Sequence, residues 1–327
     1  MKTGEVFHKP VMTAEVLEFL APAPGKSFLD ATVGLGGHSA AIIQRIIPGG
    51  LLLGLDRDAE MLSLARTYFT DSGFPREAWR LFHLSYEQMD QAAREAGLAD
   101  GFDGILFDLG VSSPQIDQPG RGFSFQKDGP LDFRFDVTQP LRGWDVVNRW
   151  TEKEIRRILR EYADEPNATS IARRICQMRT ASPIRSTGQL AAIVHSAIPA
   201  RRKTTRRDCS TLTFQAIRIA VNRELEILEA ALPKALKLLK SDGVCLVLSY
   251  HSKEDHIAKT IFNHSARACR RNPQFEVLTR KPLGPSEAEM DSNPRARSVR
   301  LRAIKRLRPE DPSLDRAPDP IFSAGGL

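Results

Sequence analysis

The chain has 327 residues, of which 41% are hydrophobic and 27% charged, and this is typical of a globular protein with a large core. The sequence has neither an apolar run of about 20 residues nor an apolar region near its start, so we expect no membrane span and no secretory signal. The four cysteines form no Cys-x-x-Cys pair, which argues against a disulfide framework or metal cluster and favours a cytoplasmic location.

The net charge of +7 is concentrated in one segment. Residues 111–213 contain 18 Lys and Arg against 11 Asp and Glu, so this segment alone has a charge of +7. Such a segment is typical of a surface that faces phosphates, although an ordinary basic helical surface has the same composition. Within it, the run 201–207 has five positive charges and is interpreted as a phosphate-contacting arm rather than a solvated loop.

Residues 27–58 predict one strand–helix–strand unit. A short apolar strand leads into glycines, an amphipathic helix follows, and a buried strand over 51–55 ends at Asp56. Glycines allow a ligand to approach the backbone closely, and the start of the helix offers free N–H groups. An acid at the end of the second strand accepts hydrogen bonds from ribose hydroxyls. The unit therefore predicts an adenosine-bearing ligand at the carboxyl ends of a parallel sheet.

The residues around this glycine turn favour S-adenosylmethionine over NAD. A dinucleotide fingerprint needs Gly or Ala at position 39, which is Ser39 here. The carboxylate of Asp30, ahead of the turn, repels a pyrophosphate and attracts a cationic sulfonium or ammonium group. A tight turn in an unrelated α/β domain is the alternative interpretation.

Strands and helices continue to alternate up to residue 110, which predicts a doubly wound α/β sheet. A Gly- and Pro-rich loop and several helices then predict a helical insertion over 111–210, with capping boxes at Thr151 and Ser186. One long helix is predicted to begin at Phe214, with an apolar stripe that continues to Leu228. Further strands are predicted over 79–86, 102–109, 243–248, 275–279 and 298–304, and a disordered tail over 309–327.

The fourth strand ends at Asp108, where a carboxylate has two possible uses. It can accept the proton of an amine that attacks a methyl donor, or it can hold the adenine amine of the cofactor. Methylation at cytosine C5 requires a cysteine nucleophile, usually after proline, and no cysteine here follows a proline. His251 and His256 lack a third ligand at a fixed spacing, so no metal is expected.

Five blocks of sequence resemble those of a known family. They read Asp-Ala-Thr-Val-Gly-Leu-Gly-Gly-His-Ser at 30–39, Asp-Gly-Ile-Leu-Phe-Asp-Leu-Gly-Val-Ser-Ser-Pro-Gln at 103–115, Arg-Gly-Phe-Ser-Phe at 121–125, Phe-Gln-Ala-Ile-Arg-Ile at 214–219 and Asn-Pro-Arg-Ala-Arg-Ser at 293–298. The chain thus resembles the RsmH/MraW family of bacterial small-subunit rRNA (cytosine-N4)-methyltransferases. The resemblance implies a class I, Rossmann-like methyltransferase domain over 1–110 and 211–308, with an all-helical, RNA-binding domain inserted at 111–210.

The resemblance also implies an activity, a cofactor and a set of site residues. The activity is N4-methylation of a cytidine in the decoding centre of 16S rRNA, either free or in the 30S subunit, with S-adenosylmethionine as methyl donor. The implied cofactor contacts are Gly36, Gly37, His38, Asp56, Leu84, Asp108 and Gln115, with Asp108 as the catalytic candidate. The family often has Phe at the position of Leu84.

Several alternatives stay open at this point. The chain could instead methylate a ribose 2′-hydroxyl of RNA, oxidise a substrate with NAD, or act as a non-catalytic ribosome assembly factor that binds RNA. Phe123 or Phe125 either stacks on the target base or belongs to the core. No membrane and no metal is expected as a partner, and the oligomeric state is not predicted.

Overall fold

Seven strands form one sheet in the part of the chain that the computed structural model describes, residues 10–199, 208–268 and 273–308. They are β1 Ser27–Asp30, β2 Leu51–Asp56, β3 Trp79–His83, β4 Phe102–Asp108, β5 Leu239–Ser249, β6 Phe275–Val277 and β7 Arg300–Arg306. Their order is β3-β2-β1-β4-β5-β7-β6, with β1 to β5 parallel and β7 antiparallel to both neighbours. The predicted doubly wound α/β sheet is confirmed.

Thirteen α-helices accompany the sheet within these described residues. They are α1 Thr13–Leu20, α2 Gly37–Ile46, α3 Ala59–Asp71, α4 Met89–Glu95, α5 Ser113–Asp117, α6 Gly143–Arg149, α7 Glu152–Ala163, α8 Ala168–Ala181, α9 Thr187–Ala197, α10 Thr211–Asn222, α11 Glu224–Lys237, α12 Ser252–Arg267 and α13 Glu287–Ser292. None of these helices has the length and apolar character that a membrane crossing requires. The predicted basic arm over 201–207 and the predicted tail over 309–327 lie outside the described residues.

Each face of the sheet is covered by its own hydrophobic cluster. One cluster contains buried residues of α1, α2 and α3, and the other contains buried residues of α4, α11 and α12. Strand β1 is buried at all four positions, as expected for a central parallel strand with helices on both faces. Strands β2 and β4 end at Asp56 and Asp108, as the sequence predicts.

A third hydrophobic cluster lies among helices α6 to α10. The predicted capping boxes begin two of these helices, since Thr151 accepts from the N–H of Glu154 and Ser186 accepts from the N–H of Gln189. The apolar face of α10 belongs to the same cluster. The helical core therefore extends past residue 210, the boundary that the sequence predicts for the insertion.

The prediction of one long helix from Phe214 is wrong. The structure has two helices, α10 and α11, because Arg223 between them has a left-handed φ of +51°. The side-chain amide of Asn222 donates to the carbonyl of Phe133 at 2.7 Å. Contacts with the loop between α5 and α6, far away in sequence, thus fix the chain at this break. Phe214 packs in the third cluster, whereas Leu228 packs against the sheet. One apolar stripe of sequence therefore serves two separate cores.

A buried ion pair joins the sheet to the loop of residues 118–142, which connects α5 to α6. Asp58, just after β2, is 3% exposed and caps α3. Its Oδ2 accepts from the guanidinium of Arg121 at 2.5 Å and from the amide of Gln115 at 2.8 Å. Arg121 is 8% exposed and also donates to the carbonyls of Arg134 and Phe135. These contacts hold both ends of the loop against β2.

Replacing Arg121 with alanine should lower the free energy of unfolding by about 3–5 kcal/mol, because the buried Asp58 carboxylate loses its partner. Urea denaturation of the purified variant measures the loss. The matched control is Arg94→Ala, which removes an exposed ion pair with Asp90 and should cost less than about 1 kcal/mol. Equal losses in the two variants would show that the buried pair does not hold the loop.

Candidate active site

A crevice opens at the edge of the sheet where β1, β2, β4 and β5 end. Most of its walls come from the segments that follow these four strands and from α11. Pro10 and Val11 before α1, Tyr86 after β3 and Phe135 also line it. The carboxyl ends of parallel strands share one edge, so side chains distant in sequence meet here. Of the predicted site residues, those that line the crevice are Gly37, His38, Asp56, Asp108 and Gln115.

The carboxylate of Asp56 is held in place by backbone groups. Its Oδ2 accepts from the N–H of Gly34 at 2.7 Å, and its Oδ1 accepts from the N–H of Asp58 at 2.8 Å. Burial raises the pKa of Asp56 to about 6, although these two hydrogen bonds oppose the rise. Each oxygen keeps a lone pair for a further hydrogen bond, so the group is an oriented acceptor at the crevice wall.

The turn between β1 and α2 requires glycine for two different reasons. Gly36 has a left-handed φ of +84°, and a Cβ at this position would lie 2.6 Å from the ring of Phe69. Gly37 begins α2 and lines the crevice, and a Cβ there would lie 3.0 Å from Pro10. Gly36 therefore faces α3 and shapes the turn, and its cofactor contact stays a prediction.

Asp30 does not line the crevice, in contrast to its expected place opposite a cationic group. It is 1% exposed, and its oxygens accept from the hydroxyl of Ser39 at 2.6 Å and from the N–H of Thr32 at 3.1 Å. Burial raises the pKa of Asp30 above its ordinary value. Ser39 and Asp30 thus tie the start of α2 to the end of β1 and brace the turn from behind.

Asp108 connects the turn after β1 with the segment after β5. Its N–H donates to the hydroxyl of Thr32 at 2.6 Å, and its Oδ1 accepts from the hydroxyl of Tyr250 at 2.8 Å. Burial and the neighbouring carboxylate raise the pKa of Tyr250, so its hydroxyl stays protonated and donates. The Oδ2 of Asp108 faces His38, whose Nε2 is 3.5 Å away. Asp108 is 24% exposed, so a ligand in the crevice can reach it.

Gln115 and Leu84 have structural contacts of their own. The side chain of Gln115 accepts from the N–H of Ser112 at 2.9 Å and donates to Asp58, which completes a capping box at α5. Leu84 is half-buried against the cluster that contains α4, and it does not line the crevice. The predicted cofactor contacts of these two residues stay predictions.

Neither Phe123 nor Phe125, the two rings that the sequence offers for stacking on the target base, lines the crevice. Phe123 stacks on Phe135 with ring centroids 5.3 Å apart, and Phe125 packs edge-on against Phe214 in the helical cluster. Both of these rings pack against other aromatic rings. Phe135 is the member of this group that lines the crevice, and no local signal separates it from its aromatic neighbours in sequence.

Sequence reasoning also did not single out Tyr250 and Glu254, although both follow the end of a parallel strand and line the crevice. Burial of Glu254 favours its neutral form, but the neighbouring His251 outweighs this and lowers its pKa, so the group is a carboxylate. His251 lies 3.2 Å from Glu254, whereas His256 is exposed on α12. The expected absence of a metal stays a prediction.

Replacing Gly36 with alanine should destabilise the protein more than the same change at Gly73. Both residues have positive φ, so each substitution should cost about 1 kcal/mol of backbone strain. The Cβ at Gly36 also meets the buried ring of Phe69, which should add about 1–3 kcal/mol, whereas a Cβ at Gly73 meets nothing within 4 Å. Thermal denaturation of both variants measures the difference, and equal melting temperatures would contradict the close packing of the turn.

Comparison with known proteins supports the family resemblance of the sequence blocks over most of the chain. The model of the MraW methylase family matches residues 5–307. The ribosomal RNA small subunit methyltransferase H of Syntrophotalea carbinolica is 45% identical over 317 residues, which cover 93% of this chain and 100% of that protein. The protein of the same name from Pelobacter propionicus is 43% identical over 92% of this chain and 98% of its own length. The chain therefore belongs to the MraW methylase family.

Proposed function

We propose that this protein transfers a methyl group from S-adenosylmethionine to N4 of a cytidine in the decoding centre of 16S rRNA. The family and the names of the related proteins support methylation of small-subunit rRNA. The observation that carries the proposal is that Asp56 and Asp108 line one crevice, at the ends of the two strands that flank β1. One carboxylate is then available for the ribose of the cofactor and the other for the reacting amine.

The chemistry of the crevice fits S-adenosylmethionine. Asp56 offers an oriented acceptor for ribose hydroxyls, and α2 begins at Gly37 with N–H groups that have no partner within the helix. Asp108 and Glu254 supply negative charge to the crevice, which favours a sulfonium cation. These two residues, rather than Asp30, supply this charge.

Bound S-adenosylmethionine would supply a methyl group to the N4 amine, and its positively charged sulfur would keep the electron pair of the broken carbon–sulfur bond. The amine becomes positively charged and gives one proton to Asp108. The exocyclic amine of cytosine is a weak nucleophile, so alignment contributes much of the rate, up to about 7–11 kcal/mol. Tyr250 fixes one oxygen of Asp108 and so fixes the direction of the other.

We assign substrate binding to the helical insertion. In this proposal residues 1–110 and 211–308 bind the cofactor, and residues 111–210 hold rRNA phosphates through their excess of Lys and Arg. The target cytidine leaves its stack, at a cost of a few kcal/mol, and enters the crevice beside Phe135. The protein acts in the cytoplasm, on small-subunit rRNA or on the 30S subunit.

Incubation with methyl-labelled S-adenosylmethionine and 30S subunits that lack this modification tests the proposal. We expect one labelled methyl per subunit, and nucleoside analysis should recover the label in N4-methylcytidine. Asp108→Asn should reduce transfer by about 10²-fold or more, because it removes the proton acceptor. Label in a 2′-O-methylated nucleoside would identify a ribose methyltransferase instead. Absence of any label would leave the role of an assembly factor.

The role of Asp56 predicts that cofactor binding depends on pH. With a pKa of about 6, Asp56 becomes protonated as the pH falls, and the affinity for S-adenosylmethionine should decrease about tenfold between pH 7.5 and 5. Asp56→Asn should bind weakly at pH 7.5 and show no such decrease. Isothermal titration calorimetry measures both affinities, with Asp71→Asn, at an exposed position, as the control. The same pH dependence in wild type and Asp56→Asn would refute the ribose assignment.

A further inference from the structure

His38 is a buried side chain in the crevice whose ring has no structural partner. It is 5% exposed, and neither its Nδ1 nor its Nε2 has a hydrogen-bond partner. Buried polar atoms are nearly always satisfied, so an unsatisfied ring at a ligand crevice calls for an explanation. The other buried polar groups nearby, Asp30 and Ser39, bond to each other and leave His38 out.

The surroundings of His38 place it next to the proposed proton acceptor. Its Nε2 lies 3.5 Å from Oδ2 of Asp108, slightly beyond a normal hydrogen bond. The other oxygen of Asp108 is occupied by Tyr250. His38 also lies close enough to Asp30 for their charges to interact. Two carboxyl groups, those of Asp108 and Asp30, therefore lie near this ring.

We infer that His38 receives the proton from Asp108 after methyl transfer and so returns Asp108 to its carboxylate form. This inference rests on the proposed function. The amine gives its proton to Asp108, Asp108 passes that proton to Nε2 of His38, and the resulting imidazolium loses it to water after the product leaves. No bond other than O–H and N–H changes in this relay. His38 acts through Asp108 and is thus a positioning residue rather than a group that touches the reacting atoms.

The geometry leaves one path for this proton. Tyr250 occupies Oδ1 of Asp108, so Oδ2 is the oxygen left to receive the proton, and Oδ2 is also the oxygen that faces Nε2 of His38. A neutral imidazole has one ring nitrogen with a lone pair that can accept a proton.

The test compares turnover with cofactor affinity in His38→Asn. At saturating cofactor and 30S subunits, we expect kcat to fall about 10²-fold, the lower end of the range for acid–base groups. Calorimetry on the same variant measures the Kd for S-adenosylhomocysteine, so that weaker binding from a lost cofactor contact of His38 is separated from the loss of kcat at saturation. In His38→Ala, added imidazole should restore part of the rate, because it fills the space left by the ring. The double variant with Asp108→Asn should lose no more activity than Asp108→Asn alone.

The control is His264→Asn, which changes an exposed histidine on α12 that does not line the crevice. It should leave kcat unchanged. The inference is overturned if His38→Asn keeps the wild-type kcat, if its whole loss appears as weaker cofactor binding, or if imidazole restores nothing in His38→Ala. A wild-type protein that transfers no methyl group would instead refute the proposed function.

Discussion

The site depends on the fact that the parallel strands β1, β2 and β4 end at one edge of the sheet. Two hydrogen bonds fix this edge: the N–H of Gly34 donates to Asp56, and the N–H of Asp108 donates to the hydroxyl of Thr32. Gly34 and Thr32 both belong to the turn that follows β1. That turn therefore sets the positions of two carboxylates that lie far apart in the sequence. The crevice, the proposed cofactor contacts and the proposed proton acceptor all follow from it.

The same edge also carries the connection to the helical part of the protein. Asp58, two residues after Asp56, forms the buried ion pair with Arg121 and holds the loop that brings Phe135 to the crevice. On the other side, Asn222 at the end of α10 donates to a carbonyl of this loop. The loop is thus fixed by the sheet and by the helical cluster together. A substrate bound by the helices would be directed toward the carboxylates by a rigid connection.

Much of the fold was predictable because it rests on local patterns. Apolar strands that end in Asp56 and Asp108, and capping boxes at Thr151 and Ser186, are signals within a few neighbouring residues. The break at Arg223 was not predictable, since the apolar stripe continues across it and the contacts that fix the chain there come from a distant loop.

The candidate site was predictable only in part, because tertiary contacts decide which side chains line the crevice. A sequence motif shows which residues recur near a ligand, but it does not show which of them face it. Asp30, Gly36 and Leu84 lie in or near the motifs yet do not line the crevice, whereas Tyr250 and Phe135 reach it through tertiary contacts alone. The most direct test of the account is a crystal structure with S-adenosylhomocysteine. The account predicts the ribose against Asp56 and the sulfur on the side of Asp108 and His38, and a ligand bound elsewhere, or with its ribose away from Asp56, would contradict it.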